Sequence, residues 1–122
     1  MSTSEKKSPR SRGAQTGRVR ATVDPGVCGF HADIVAEAES MRKVKLEITS
    51  DCAAIQKAAD RLPEVNMLEE TRAGLGQGQV YGALSECVRH VTCPVGSGIL
   101  KACEAAAGLA LLRDVSIKLE RE

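Results

Sequence analysis

Between Arg18 and Ser50 apolar side chains recur at every second position, and between Cys52 and Ala106 they recur at every third or fourth. A period of two is that of a half-buried strand and a period near 3.6 is that of a helix with one buried stripe. Val19, Ala21 and Val23 alternate with Arg18, Arg20 and Thr22 until Asp24-Pro25-Gly26 interrupts them. The alternation resumes from Phe30 through Ala32, Ile34, Ala36 and Ala38, and again at Val44, Leu46 and Ile48. The short link Ser40-Met41-Arg42 predicts an antiparallel hairpin in which Glu39 faces Arg42, so that opposed residues have numbers summing to about 81. Helices are expected over 52–62, stopped by Pro63, and over 80–90. A third opens at Cys93-Pro94 and closes at Gly108, with Ile99, Ala102, Cys103 and Ala106 on one side. A weak short helix is expected around 65–70, and alternation returns for a last strand over Val115–Leu119. Strand, strand, strand, helices, strand is an α+β order, predicting a small, mostly antiparallel sheet of about four strands with helices on one face.

The core of this fold must be aliphatic. Phe30 and Tyr81 are the only aromatic residues and Trp is absent, so aromatic platforms for stacking single-stranded nucleic acid are missing. At 122 residues the chain has material for one domain and excludes a multidomain enzyme. Its net charge of +1 is unevenly spread: residues 1–20 hold six basic residues against Glu5 alone, a net +5, and the remainder, with eleven basic and fifteen acidic residues, is −4. Residues 1–17 are accordingly expected to be a disordered basic arm on a domain spanning 18–122. Nucleic acid or an acidic protein partner would be met through that arm, although a basic run is more often a solubilising tail. No stretch has the apolar length of a signal peptide core or a membrane span, which predicts a cytoplasmic protein without membrane contact.

Five cysteines in this length are the unusual feature. In a reducing compartment they point to metal binding, thiol chemistry or packing rather than to a disulfide framework. The predicted hairpin carries Cys28 and Cys52 to one end of the sheet. Cys52 and Cys93 fall at helix N-termini, where unpaired N–H groups favour a thiolate, and Cys28 lies in the glycine-flanked turn PGVCGF. Cys87, six residues before Cys93, completes a set of Cys28, Cys52, Cys87 and Cys93, the thiolate ligands used by iron–sulfur clusters and by Zn(II). The spacing contains no C-x2-C pair. Cys87 and Cys103 both lie on apolar helix stripes, so Cys103 reads as core and Cys87 as either core or ligand. His31 and His90 read as solvated residues, and Gly74, Gly76 and Gly78 as a connector, because no strand precedes them and no Lys-Ser/Thr follows.

PGVCGF at 25–30, SDC at 50–52 and CPVGSGILKACEAAAGLALLRDVSI at 93–117 together resemble a family of small uncharacterised proteins of anaerobic bacteria and archaea. The family pattern is PGxCGF, SDC and CPVPxxILKAxExAAGLALPxDV, and Gly96 and Leu112 depart from it where proline is usual. The resemblance implies a shared cysteine site at Cys28, Cys52 and Cys93 without an assigned activity. CPVGSGILKACE is also similar to the C-terminal scaffold domain of NifU-like iron–sulfur assembly proteins, where a cysteine-proline step opens a helix before a final strand.

These readings converge on a small metal-binding protein, an iron–sulfur carrier, scaffold or electron-transfer module, with Zn(II) as the alternative metal. Two others stand beside it: a thiol-redox protein with one reactive low-pKa cysteine, and an adaptor that works through its basic arm. No paired carboxylates or serine triad can be assembled, so the sequence names no enzyme reaction.

Overall fold

The structure, a computed structural model, describes residues 17–122; the basic arm expected over 1–17 lies, except for Gly17, outside the described residues. Strands β1 (Arg18–Val23), β2 (Ala32–Ser40), β3 (Lys43–Ser50) and β4 (Glu64–Val65) form one antiparallel sheet in the order β1-β2-β3-β4. Helices α1 (Ala53–Ala59), α2 (Met67–Ala73), α3 (Gln79–Cys87) and α4 (Val95–Ala106) complete the α+β fold. The three long strands and helices α1, α3 and α4 fall where the two periods place them.

Three details differ from expectation. The hairpin turns at Met41-Arg42, with Ser40 opposite Lys43 and an irregularity between Ala38 and Ser40, so the body pairs Ile34 with Ile48, Ala36 with Leu46 and Ala38 with Val44. Those numbers sum to 82. A register of 81 would set Ile34 against Glu47, placing apolar and charged side chains on one face, and burial of that face excludes it. The fourth strand is Glu64–Val65, which the sequence pattern gave to a helix. Val65 is buried opposite Val44, and the Leu46 N–H donates to the Pro63 carbonyl at 3.0 Å, before Asn66 caps α2 through its side chain by accepting from the Glu69 N–H at 3.1 Å. Val115–Leu119 is not a strand: 109–122 has no regular secondary structure. Alternation fixes which face a strand presents but not whether a neighbour is there to bond it.

The inward face of the sheet holds Ala32, Ile34, Ala36 and Ala38 from β2 with Val44 and Ile48 from β3, all buried. On the outward face Arg18 pairs with Glu37 at 3.0 Å and Arg20 with Asp33 at 2.7 Å. Helix α4 crosses β1 and β2, burying Val95, Ile99, Ala102, Cys103 and Ala106, and α1 covers β3 through Ile55 and Ala58. The seat of α4 is close because its residues are small. A side chain at Gly98 would collide with the Val23 Cγ2 and press on Ile34 Cδ1 at 3.4 Å, and one at Gly96 would come within 2.6 Å of the Tyr81 ring. At its far end the Ala106 carbonyl accepts the Gly17 N–H at 2.9 Å. Helix α4 therefore runs from the end of β1 back to its beginning.

Replacing Gly98 by Val is expected to overpack this contact and to cost about 1–3 kcal/mol in urea unfolding. Gly82→Ala, in α3 with open space around its Cα, is expected to stabilise by about 0.4–1 kcal/mol. Equal effects of the two substitutions would contradict the close seat of α4.

Candidate functional site

The end of the sheet where β1 and β3 finish and β2 begins is defined by Val23 and Ser50, both paired with Ala32. Three cysteine-bearing segments arrive there. Cys28 lies in the link from β1 to β2, Cys52 follows β3 and Cys93 precedes the end of α4 that rests on Val23.

Each is held differently. Cys28 is exposed in a turn closed by the Gly29 N–H donating to the Gly26 carbonyl at 3.1 Å, while the Gly26 N–H donates to Asp24 Oδ1 at 3.0 Å. Gly26 and Gly29 take φ of 85° and 73°, conformations that glycine adopts without the steric cost other residues incur. Cys52 is half-buried and is itself the N-cap residue of α1, in extended backbone and without a side-chain capping bond. Its N–H donates to Ser50 Oγ at 3.1 Å, and that hydroxyl donates to the His31 carbonyl at 2.9 Å. Gln56 adds a second clasp, accepting from the Ser50 N–H and donating to the Ile48 carbonyl, both at 3.0 Å. These four bonds tie the start of α1 to β3 and to the residue that precedes β2, and so hold the backbone at Cys52. Cys93 is half-buried, its N–H donating to the His90 carbonyl at 3.1 Å, with Pro94 as N-cap of α4.

The other two cysteines lie within helices. Cys87 is the last residue of α3, half-buried against the core. Cys103 is fully buried in α4, and burial, reinforced by the nearby Glu70 charge, pushes its thiol up to about 12. Among the described residues no three His, Cys, Asp or Glu side chains form a group placed to hold a metal ion. Of the four predicted ligands, Cys28, Cys52 and Cys93 lie on segments at one end of the sheet, and they form no preassembled cage.

Two features escaped the sequence reading. On the outward face beside Cys52 lies a shallow cleft of about 440 Å³ lined by Arg20, Thr22, His31, Asp33, Ser50 and Asp51, among others. Alternation already puts Arg20, Thr22 and Asp33 on the polar face, but their nearness to Asp51 depends on the register. His31 Nε2 lies 3.7 Å from Asp24 Oδ2 at its rim. The second feature is Glu70, a buried carboxylate in the middle of α2 that accepts the Gln79 N–H at 2.6 Å and the Val80 N–H at 3.3 Å. The glycine-rich connector thus opens a helix onto an anion, and the anion is the chain's own. A Cβ at Gly78 would overlap that carboxylate, which explains a glycine there. A lone Glu ahead of a glycine-rich loop carries no sequence signal for this.

An α+β protein with cysteine-bearing loops gathered at one end of an antiparallel sheet is the class these observations define. A family model matches residues 19–119, and the chain belongs to that family, DUF6951, a family of unknown function. No curated protein and no solved structure shows significant similarity to it. Among the described residues no helix is long and apolar enough to cross a membrane.

Thiol titration of the native protein is expected to modify Cys28 first and to leave Cys103 unreacted until the chain unfolds. The folded state keeps the Cys103 proton to about pH 12, whereas the thiol's ordinary value is near 9. The unfolded chain therefore loses protons first, and stability declines as pH rises between these values. Cys103→Ala should flatten that alkaline slope in urea unfolding at pH 8 to 11. Glu70→Ala, which leaves the buried Val80 N–H and the part-buried Gln79 N–H of α3 without their acceptor, is expected to cost about 1–3 kcal/mol in the same assay at pH 7.

Proposed function

We propose that the protein is a thiolate carrier or scaffold that receives an iron–sulfur cluster, or Zn(II) in its place, as cargo. It uses Cys28, Cys52 and Cys93, with Cys87 as fourth ligand. The observation that carries this reading is the meeting of three cysteine-bearing segments, distant in sequence, at one end of the sheet. Soft thiolates are the ligands that iron–sulfur clusters and Zn(II) share. The similarity of CPVGSGILKACE to the NifU-like scaffold domain adds support by analogy, although here the segment after the helix forms no strand.

Thiolates around one Zn(II) must each lie about 2.3 Å from it, so loading has to draw the sulfurs together. The Cys28 turn is the segment suited to move. It is exposed, flanked by two glycines in left-handed backbone, and joined to the rest by few bonds. Cys52, clasped through Ser50 and Gln56, is the fixed member. A carrier gains from this arrangement, because a site closed by a turn can also reopen for transfer.

A second reading has its own observation. Cys28, exposed in a turn, is accessible to act as a nucleophilic thiol toward a disulfide or small electrophile.

One set of measurements separates the two. Anaerobic purification, followed by an ultraviolet-visible spectrum and by iron, sulfide and zinc analysis before and after reconstitution, is expected to show bound metal. Cys28→Ser, Cys52→Ser and Cys93→Ser should each lose it, and Cys103→Ala should retain it. Apoprotein unchanged by reconstitution would end the cargo reading. Fast alkylation confined to Cys28 would then establish the second.

A further inference from the structure

The chain holds both halves of a strand pair that it does not itself form. β1 is an edge strand whose outer side has no partner among the described residues, and it spans Arg18–Val23 with Val19, Ala21 and Val23 on the core face. The segment after α4 carries the matching pattern. Val115, Ile117 and Leu119 alternate with Ser116, Lys118 and Glu120, and yet the three apolar residues are 63%, 81% and 91% exposed. Leu111 and Leu112 ahead of them are 80% and 74% exposed. Five large aliphatic side chains in water within nine residues cannot be explained by the fold of one chain, because burial of apolar area is what normally orders such a segment.

We infer that residues 115–119 pair with the outer edge of β1 in a second copy of this chain, so that two copies exchange their C-terminal strands and form a closed dimer. Pairing at an edge satisfies the free N–H and C=O groups of β1 and of the segment together. Period two makes the side chains agree in either strand direction. With Val115, Ile117 and Leu119 set beside Val19, Ala21 and Val23, the remaining residues Ser116, Lys118 and Glu120 fall on the outward face with Arg18, Arg20 and Thr22. That face already holds the ion pairs of Arg18 with Glu37 and Arg20 with Asp33, and it accommodates further charge in water. The lengths agree as well, since the alternating segment of 115–119 is within one residue of the six in β1.

In the single chain the segment that follows α4 does not pair with its own β1 edge, which leaves a second copy as the partner of both. After Ala106 the Leu109 N–H donates to the Glu104 carbonyl at 2.9 Å, and Gly108, with φ of 78°, turns the chain out of the helix. The segment beyond then leaves its own β1 edge unpaired and its own apolar residues uncovered. A partner related by a two-fold axis offers each segment an edge and each edge a segment, which closes the assembly at two copies. The pairing uses none of the cysteines, so this inference is independent of the proposed cargo.

Sedimentation equilibrium of the full chain over a range of micromolar concentrations is expected to give twice the 12.9 kDa chain mass. Ile117→Pro and, separately, Leu119→Asp should shift that equilibrium to the monomer, with the helical far-ultraviolet circular dichroism retained, because both side chains are exposed in the single chain. Amide exchange should show protection over 115–119 and β1 that rises with protein concentration. A monomer at every concentration overturns the inference, as does a dimer indifferent to both substitutions. Concentration-independent protection of 115–119 in a monomer overturns it too, since the segment then pairs with its own edge.

Discussion

The close seat of α4 on β1 and β2 is the contact on which the rest of the molecule depends. With no Trp and two aromatic residues in all, the chain has few large side chains with which to fill the space between helix and sheet. It brings the layers together instead, through Gly98, Ala102 and Ala106, so that Val23 and Ile34 meet the helix at Gly98 directly. Interiors are dense enough that a single added methyl group is felt, and here its place is already taken. The bond from the Gly17 N–H to the Ala106 carbonyl fixes the direction of the helix. That direction carries Cys93 to the same end as Cys28 and Cys52.

A second dependence runs through Glu70. Its carboxylate sits between α2 and the start of α3, satisfies two N–H groups that no intrahelical bond can reach, and requires a glycine at position 78. The same charge lies close enough to Cys103 to reinforce the effect of burial on that thiol. One carboxylate thus supports the helical layer and adds to the burial that keeps the core cysteine protonated. The reactive inventory is left to the loop cysteines, where a thiol can be reached without unfolding the sheet.

Much of the fold was legible because burial imposes periodicity. Val19 to Val23, Ala32 to Ala38 and Val44 to Ile48 are strands since their alternate residues have to enter one core, and Ile99, Ala102, Cys103 and Ala106 are one helix stripe for the same reason. The placement of Cys28 and Cys52 at one end survived a register error of one residue because both lie outside the paired region. Glu64–Val65 escaped because two residues have no period, and their strand exists only through pairing with Val44 and Lys45. Val115–Leu119 had the period and lacked the neighbour.

The sequence by itself determined the α+β class, the aliphatic core, the turn around Cys28 and the buried fate of Cys103, since each follows from side-chain size, spacing and the cost of leaving apolar groups in water. Tertiary structure alone decided the register of 82, the fourth strand, the carboxylate under α3, the outward cleft and the arrival of Cys93 beside the other two loops. All of these depend on groups far apart along the chain, whose meeting is set by packing and hydrogen bonding across elements and leaves no mark on local pattern.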